Sequence, residues 1–445
     1  MFSITDLNCY AEYSVYKMSL FRFKGLINIS IYLIVSVISA GINFFLLPVL
    51  SHHLLPADYA IISLVNTYVL LLMPLVSLLS YGVLGVEYYK MKDKKEYARL
   101  FSSALFVPVI PTLLLLLVLL SGFRSLSVIM ELPATGWLYV YMAVFCFVLN
   151  VVEVANLYLV TAKKAKLFAI FNLSKVALEA VLTLYFVVYL KNGWEGRVHS
   201  WFIVSVLFSI ISFLIFYKEE LLSLRISRKY IWFAITFGTP LIAHTIGKFI
   251  VNQSDRLFIA KMITLEEAGI YNVGYTIGAM IMILITALAN YYSPVVMENL
   301  HKQEEGGLIK IVKANYQFLV IMLLGFVALN LASPFIFTWL ISSNYGSATP
   351  YVFWISLGYV FWGGYMLFVP VIYYKHKTKF LGYLSIINVV LNIALNIVLI
   401  PVWGGIGAAI ATLISFLILF IIISAKSNSL IRLPWAMVKF KDAFK

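Results

Sequence analysis

The sequence predicts an all-α integral membrane protein of about twelve transmembrane helices, on three observations. Of its 445 residues 62% are hydrophobic and only 12% charged, where a soluble globular chain needs roughly 25% charged residues to cover its surface. Apolar runs long enough to cross a bilayer, roughly 20 residues at 1.5 Å each, recur along the whole chain. Lysine and arginine gather in alternate connections, as they do in multi-pass proteins.

Read between polar breaks, the spans lie near 26–49, 59–82, 101–121, 134–161, 167–190, 199–217, 231–254, 266–293, 309–332, 350–374, 380–400 and 405–424. The third is interrupted by Pro108 and Pro111. The first is too long for a signal-peptide core and lacks a small-x-small cleavage site, so it reads as a retained helix. The polar segment 1–25 precedes it, and Met18 ahead of Arg22 and Lys24 would be a conventional start.

Orientation follows from the basic residues. With both termini cytoplasmic, 26 of the 33 Lys and Arg lie on the inner side. Arg124, Lys191, Arg197, Arg256 and Lys261 fall outside, and Lys175 and Lys248 lie within spans. This bias sets the expected topology and accounts for the net charge of +14 without nucleic acid. Trp137, Trp194, Trp201, Trp232, Trp339, Trp403 and Trp435 fall near span ends, as an interfacial belt requires. Outer loops are short, the longest running from about Ser333 to Thr349, so no extramembrane domain is expected to house catalysis.

The second half echoes the first. Leu55-Pro56-Ala57-Asp58-Tyr59-Ala60-Ile61 leads into span 2, and Leu265-Glu266-Glu267-Ala268-Gly269-Ile270-Tyr271 leads into span 8. Each puts acid at the outer start of a helix, where the dipole favours it, and Thr264 with Glu267 fits a capping box. Lys166-Leu167-Phe168 and Lys379-Phe380-Leu381 each open a span that ends in a Trp/Gly turn. Six spans per half is an even number, so the halves share one orientation and a site is expected between them. The plain alternative is that any two apolar helices look alike.

A charge near the bilayer centre costs about 2.5 to 3.5 kcal/mol on insertion scales, so each needs a reason. Span 5 carries Asn172, Lys175, Glu179 and Thr183 on one helical face. At equivalent positions span 11 carries Asn388, Asn392 and Asn396, so both stripes are expected to face a shared interior. Span 7 adds His244, Lys248, Asn252 and Asp255 on one face, with Gln253 and Arg256 at its edge. Span 4 contributes Asn150, Glu153 and Asn156. Pro240 and Gly238 interrupt span 7, and Gly247 would let another backbone approach.

Structural alternatives accompany each. Lys175 and Glu179 could pair one turn apart, Arg256 could snorkel to headgroups, and Glu153 and the asparagines could be interhelical glue. The rings of span 10, from Phe353 to Phe368, suit core or lipid packing. Cys9 and Cys146 make neither a disulfide framework nor a metal site. No metal-ligand spacing, phosphate loop or nucleophile-base set is present, so no cofactor and no enzyme chemistry is expected.

The runs Phe237-Gly238-Thr239-Pro240-Leu241-Ile242, Asn252-Gln253-Ser254-Asp255-Arg256-Leu257-Phe258-Ile259 and Leu265 to Tyr271 resemble the polysaccharide biosynthesis flippases. These are the Wzx-type O-antigen transporters of the multidrug/oligosaccharidyl-lipid/polysaccharide exporter superfamily. Leu46-Leu47-Pro48-Val49-Leu50 through Asp58-Tyr59 matches the family's first hairpin, and the resemblance runs from about Ile27 to Ser424. It implies two six-helix bundles, 26–218 and 231–424, around a central cavity, joined by a cytoplasmic linker 219–230 and followed by a cytoplasmic tail 425–445. It implies an alternating-access flippase for undecaprenyl diphosphate bearing an oligosaccharide, in the bacterial inner membrane, serving lipopolysaccharide or related surface glycans beside a polymerase and chain-length machinery. Lys248, Arg256 and Lys175 match the family's cationic cavity residues. The first helix has few basic residues, which leaves open which half holds the phosphates.

The residues themselves support a polar interior in which Asn252, Asn388, Asn392 and Asn396 meet hydroxyls. Glu153, Glu179, Asp255 and His244 are candidate proton or sodium sites. The alternatives are a cation-coupled drug exporter of the same superfamily, against which the intramembrane basic residues argue, and a membrane glycan polymerase or ligase, which would need a larger outer loop.

Overall fold

A computed structural model describes residues 44–302 and 305–438, with 31, 34, 35, 38, 39, 41 and 42 before them. The expected cytoplasmic segment 1–25 and 11 of the 24 residues of span 1 lie outside the described residues. So do the side chains of His244 and Lys248.

The described chain folds into helices without strands. In order they are α1 (Phe44–His53), α2 (Pro56–Ser77), α3 (Gly82–Lys90), α4 (Lys94–Phe106), α5 (Val109–Met130), α6 (Gly136–Thr161), α7 (Ala165–Thr183), α8 (Gly193–Lys218), α9 (Arg228–Met262), α10 (Leu265–Gly278), α11 (Ile281–Lys302), α12 (Glu305–Trp339), α13 (Thr349–Tyr374) and α14 (Thr378–Leu430). Among the described residues nine helices are long and apolar enough to cross a membrane, and α9 adds a bent pair. Helices bury their backbone polar groups internally, which is why hydrocarbon selects them. Leu113, Leu114, Leu117 and Val118 of α5 and Leu324, Leu331 and Phe335 of α12 are largely exposed. Apolar belts of that size on an outer surface fit contact with lipid.

Breaks in the helices follow local chemistry. Span 3 divides at Pro108 into α4 and α5. Spans 11 and 12 are the two arms of α14, turned at Gly404, whose φ of 59° and ψ of −139° suit glycine. The arms close tightly enough that a Cβ on Gly407 would lie 2.2 Å from the Leu399 carbonyl oxygen. α9 bends by 49° between Arg228–Gly247 and Phe249–Met262. The bend falls one turn and more past Pro240, so the proline is not its centre. A Cβ on Gly247 would meet only the Val389 side chain at an ordinary 3.5 Å, so the close backbone approach expected there is absent.

That approach occurs instead at Gly238, where a Cβ would lie 2.1 Å from the Leu78 carbonyl oxygen. Leu78 and Leu79, in left-handed conformations, turn the chain out of α2 at this point. The arm Arg228–Gly247 of α9 therefore rests on the first half of the chain, and Ala234 joins a core with Val83, Leu100, Phe101 and Phe216. The arm Phe249–Met262 bonds through Asp255 to α10 and α14. At the opposite end of α2, a Cβ on Gly269 of α10 would lie 1.8 Å from the Pro56 carbonyl oxygen. Small residues at crossings are how membrane helices bring backbones together. The repeated motif thus marks the crossing of α2 and α10. Near it Tyr345 donates to the Leu54 carbonyl at 3.0 Å, and the Ser342 amide donates to Ser51 Oγ at 3.1 Å.

The caps resolve one expectation in part. The Glu267 amide donates to Thr264 Oγ1 at 3.1 Å, which is the first half of a capping box. The Glu267 carboxylate takes the Tyr351 hydroxyl rather than closing the box.

Candidate functional site

Two polar clusters lie inside the helical assembly, one in each half. In the first half, α7 carries its polar face inward. Glu179 forms an ion pair with Arg197 of α8 at 2.9 Å, and both side chains are nearly buried. Arg197 also donates to Thr183 Oγ1 at 2.6 Å, and Thr183 meets Ser200 Oγ at 2.9 Å. The guanidinium lies 5.1 Å from the Trp201 ring, a cation–π geometry.

Three readings of the sequence change here. Arg197 does not belong to an outer loop, because α8 begins at Gly193 and carries it inward. Trp201 does not stand near a helix end, because it lies two turns into α8, where it lines a cavity. Glu179 pairs with Arg197, not with Lys175. Lys175 is left half-buried on the wall of a cavity of about 230 Å³ formed by α2, α6, α7 and α8. Glu153, Asn66, Phe145 and Ser205 share that wall, and Lys175 is the cation acting on Glu153. Behind it Asn172 donates to Asn156 at 2.9 Å, tying α7 to α6.

In the second half the centre is Asp255 on α9, wholly buried. It accepts from Tyr271 of α10 at 2.7 Å, from Asn396 in the first arm of α14 at 3.0 Å and from Thr412 in the second arm at 3.0 Å. Asn396 also donates to Asn392 Oδ1 at 3.1 Å. Among the described residues Asp255 has no ion pair. The side-chain carbonyl oxygens of Asn388 and Asn396 and the amide nitrogen of Asn392 are buried without a partner among the described residues. Unmet polar atoms in a dry interior are costly, and here they lie along the α14 face whose Asn396 bonds to Asp255.

Arg256, next along α9, is also buried. It donates to Asn272 at 2.6 Å, to Gln253 at 2.8 Å and to the Asn252 carbonyl at 3.2 Å, and stacks 4.4 Å from Tyr275. It is turned into the protein and does not snorkel.

The two stripes thus form separate clusters, where the sequence led us to expect a single shared interior. They approach at Tyr59 of α2, whose phenol lies in the field of both Arg197 and Arg256. Lys248 lies at the α9 bend and His244 one turn before it, with both side chains outside the described set. Sequence reading missed Arg197, Thr412, Tyr271 and Asn272. No group of three or more His, Cys, Asp or Glu that could hold a metal occurs among the described residues.

The comparisons agree with this architecture. The pattern of the family described as polysaccharide biosynthesis protein matches residues 26–300. A relative in Haemophilus influenzae, "Lsg locus putative protein 1", is 23% identical over 368 residues, covering 81% of this chain and 88% of its own length. An inward-facing multidrug resistance MATE family transporter of the MOP superfamily superposes with a TM-score of 0.70 at 14% identity, over 88% of this chain and 95% of its own. The lipid II flippase MurJ, in an inward closed conformation, gives 0.64 at 16% identity, over 92% and 89%. The two solved structures establish a shared fold. The resemblance read from the sequence therefore holds: this chain is a multi-pass membrane protein belonging to the polysaccharide biosynthesis protein family.

Proposed function

We propose that the protein carries an oligosaccharide linked to undecaprenyl diphosphate from the inner to the outer leaflet of the bacterial cytoplasmic membrane, by alternating access, for a surface polysaccharide such as O-antigen. One observation carries the reading. Each half buries charged and amide side chains at depths where hydrocarbon penalises them, and one of these groups lines an open cavity. A diphosphate and its sugars cannot cross roughly 30 Å of hydrocarbon unaided.

Lys175, Lys248 and Arg256 are the cations that would offset the phosphates, while Arg197 is held by Glu179. Asn252, with the cavity wall of Asn66, Glu153 and Trp201, supplies amide, carboxylate and ring chemistry for sugars. The prenyl chain would stay in lipid between halves 26–218 and 231–424, both termini being cytoplasmic. A polymerase and chain-length machinery would take the product onward. The protein performs transport and no covalent chemistry in this reading.

Asn392 and Asn396 are better assigned to coupling than to sugar, whereas Asn388, two turns before Asn396, stays with the sugar-binding set. Asn396 and Thr412 bond to the buried Asp255 and Asn392 bonds to Asn396, so the centre holds carboxylate, amide and hydroxyl oxygens, which suits a hard cation or a proton. Glu153 is the corresponding candidate of the first half, since Glu179 is already neutralised by Arg197. His244 remains a candidate by its position on α9. The same acidic centre favours the second reading, a cation-coupled drug exporter.

Complementation separates the two. In a strain lacking the protein, the wild type restores surface glycan and Lys248→Ala abolishes it while the variant still inserts. Normal glycan with Lys248→Ala, or restored drug resistance without glycan, would overturn the proposal.

A further inference from the structure

At the inner end of α14 its two arms stand side by side and enclose a groove of about 460 Å³, lined by His376, Lys377, Lys379, Phe380, Tyr383 and Lys426. We propose that this groove binds the headgroup of a membrane lipid carrying two phosphates. Three lysines and a histidine converge there from parts of the chain some fifty residues apart, and the lining holds no carboxylate. None of the three lysines has an ion pair among the described residues, although four other pairs occur at helix ends and in the interior.

Lys377 and Lys379 are exposed at the rim of the groove and Lys426 stands deeper. Lys426 is half-buried, with its ammonium 5.9 Å from the Phe380 ring. Lys377 and Lys379 stand at the first turn of α14, where the helix dipole disfavours positive charge and no acidic residue compensates. An anion seated in the groove would relieve both the mutual repulsion and the dipole. Two phosphates match at least three fixed positive charges better than one does.

The apolar side identifies the anion as part of a lipid. Tyr383, Ile386, Ile387 and Val390 continue from the groove along the first arm as a largely exposed stripe. A chain attached to the headgroup can follow that stripe into hydrocarbon. Basic pockets between helices at the cytoplasmic face are the usual seats of such headgroups. The lipid could be a resident diphosphatidyl lipid or a prenyl diphosphate, which share this chemistry.

The test uses the full chain in detergent, with the melting temperature read on titration with cardiolipin, farnesyl diphosphate, phosphatidylglycerol, phosphatidylcholine or inorganic pyrophosphate. Cardiolipin or farnesyl diphosphate, or both, should raise it by several degrees, with phosphatidylglycerol weaker and phosphatidylcholine inert. Which of the first two acts identifies the source. The triple variant Lys377→Gln/Lys379→Gln/Lys426→Gln should lose the response, and the single variant Lys377→Gln should show a several-fold weaker midpoint if the triple variant does not fold. An unchanged response in the variants, an equal response to phosphatidylglycerol, or an equal response to pyrophosphate would overturn the proposal. Because the readout is binding, it is independent of whether the protein flips a lipid.

Discussion

Glu179 and Arg197 pair at 2.9 Å in the interior of the first half, their side chains 12% and 8% exposed. Removing one partner of a buried pair leaves an uncompensated charge and costs about 3 to 5 kcal/mol, whereas removing both costs far less. Arg197→Ala should therefore lower the melting temperature sharply, and adding Glu179→Ala should restore part of the loss. Strictly additive losses would show that the pair does not act as a unit. At Asp255 the expectation concerns ligand response. The wild type should be stabilised by one monovalent cation, and Asp255→Asn, which keeps the shape and removes the charge, should be indifferent to it. A variant as responsive as the wild type would remove Asp255 from the coupling site. Residues of this kind were half legible in the sequence. Asp255 and Glu179 announce themselves as charges within apolar runs. Arg197 does not, because Gly193-Trp194-Glu195-Gly196 before it has the composition of a loop, and only packing shows that α8 has already begun. Thr412 and Tyr271 are ordinary residues until three helices bring them to one carboxylate.

Among the elements, α2 is held at both of its ends. Its outer end meets the α10 backbone at Gly269 and its inner end is followed by the meeting of Leu78 with Gly238 of α9, so the halves touch across both ends. A β-carbon at either glycine has no room without helix displacement. Gly269→Val should open the outer end and raise labelling of Ser342→Cys by a membrane-impermeant thiol reagent. Gly238→Val should instead expose Leu79→Cys. Both are measured in a Cys9→Ser background, where the remaining Cys146 is buried. Equal labelling with and without the valine would mean that these crossings do not gate access. The sequence repeat of Leu55–Ile61 and Leu265–Tyr271 shows two matching helix starts, and only the structure shows that these two starts cross. The inner crossing was hidden, because Gly238 reads as a helix interruption and the left-handed turn at Leu78 and Leu79 has no glycine to signal it.

For the whole molecule, composition and apolar period settle the membrane class, since hydrocarbon leaves the chain few alternatives to helices. They say little about which helices touch, because long-range packing between apolar surfaces is specified by shape. That is why the polar stripes of α7 and α14 were found in sequence and their separation into two clusters was not. The cluster in the first half faces an open cavity, and the cluster in the second half is closed around Asp255. In the proposed function the first cluster offers substrate the cation Lys175 beside Glu153, and the second sets the coupling carboxylate Asp255 beside Arg256 on α9. The direct measurement is translocation of a fluorescently tagged undecaprenyl diphosphate oligosaccharide in proteoliposomes, by the protein and by Lys175→Gln. The account predicts rapid loss of inner-leaflet fluorescence with the wild type, at least tenfold slower with Lys175→Gln at unchanged folding. Translocation by the wild type no faster than in protein-free vesicles would contradict it.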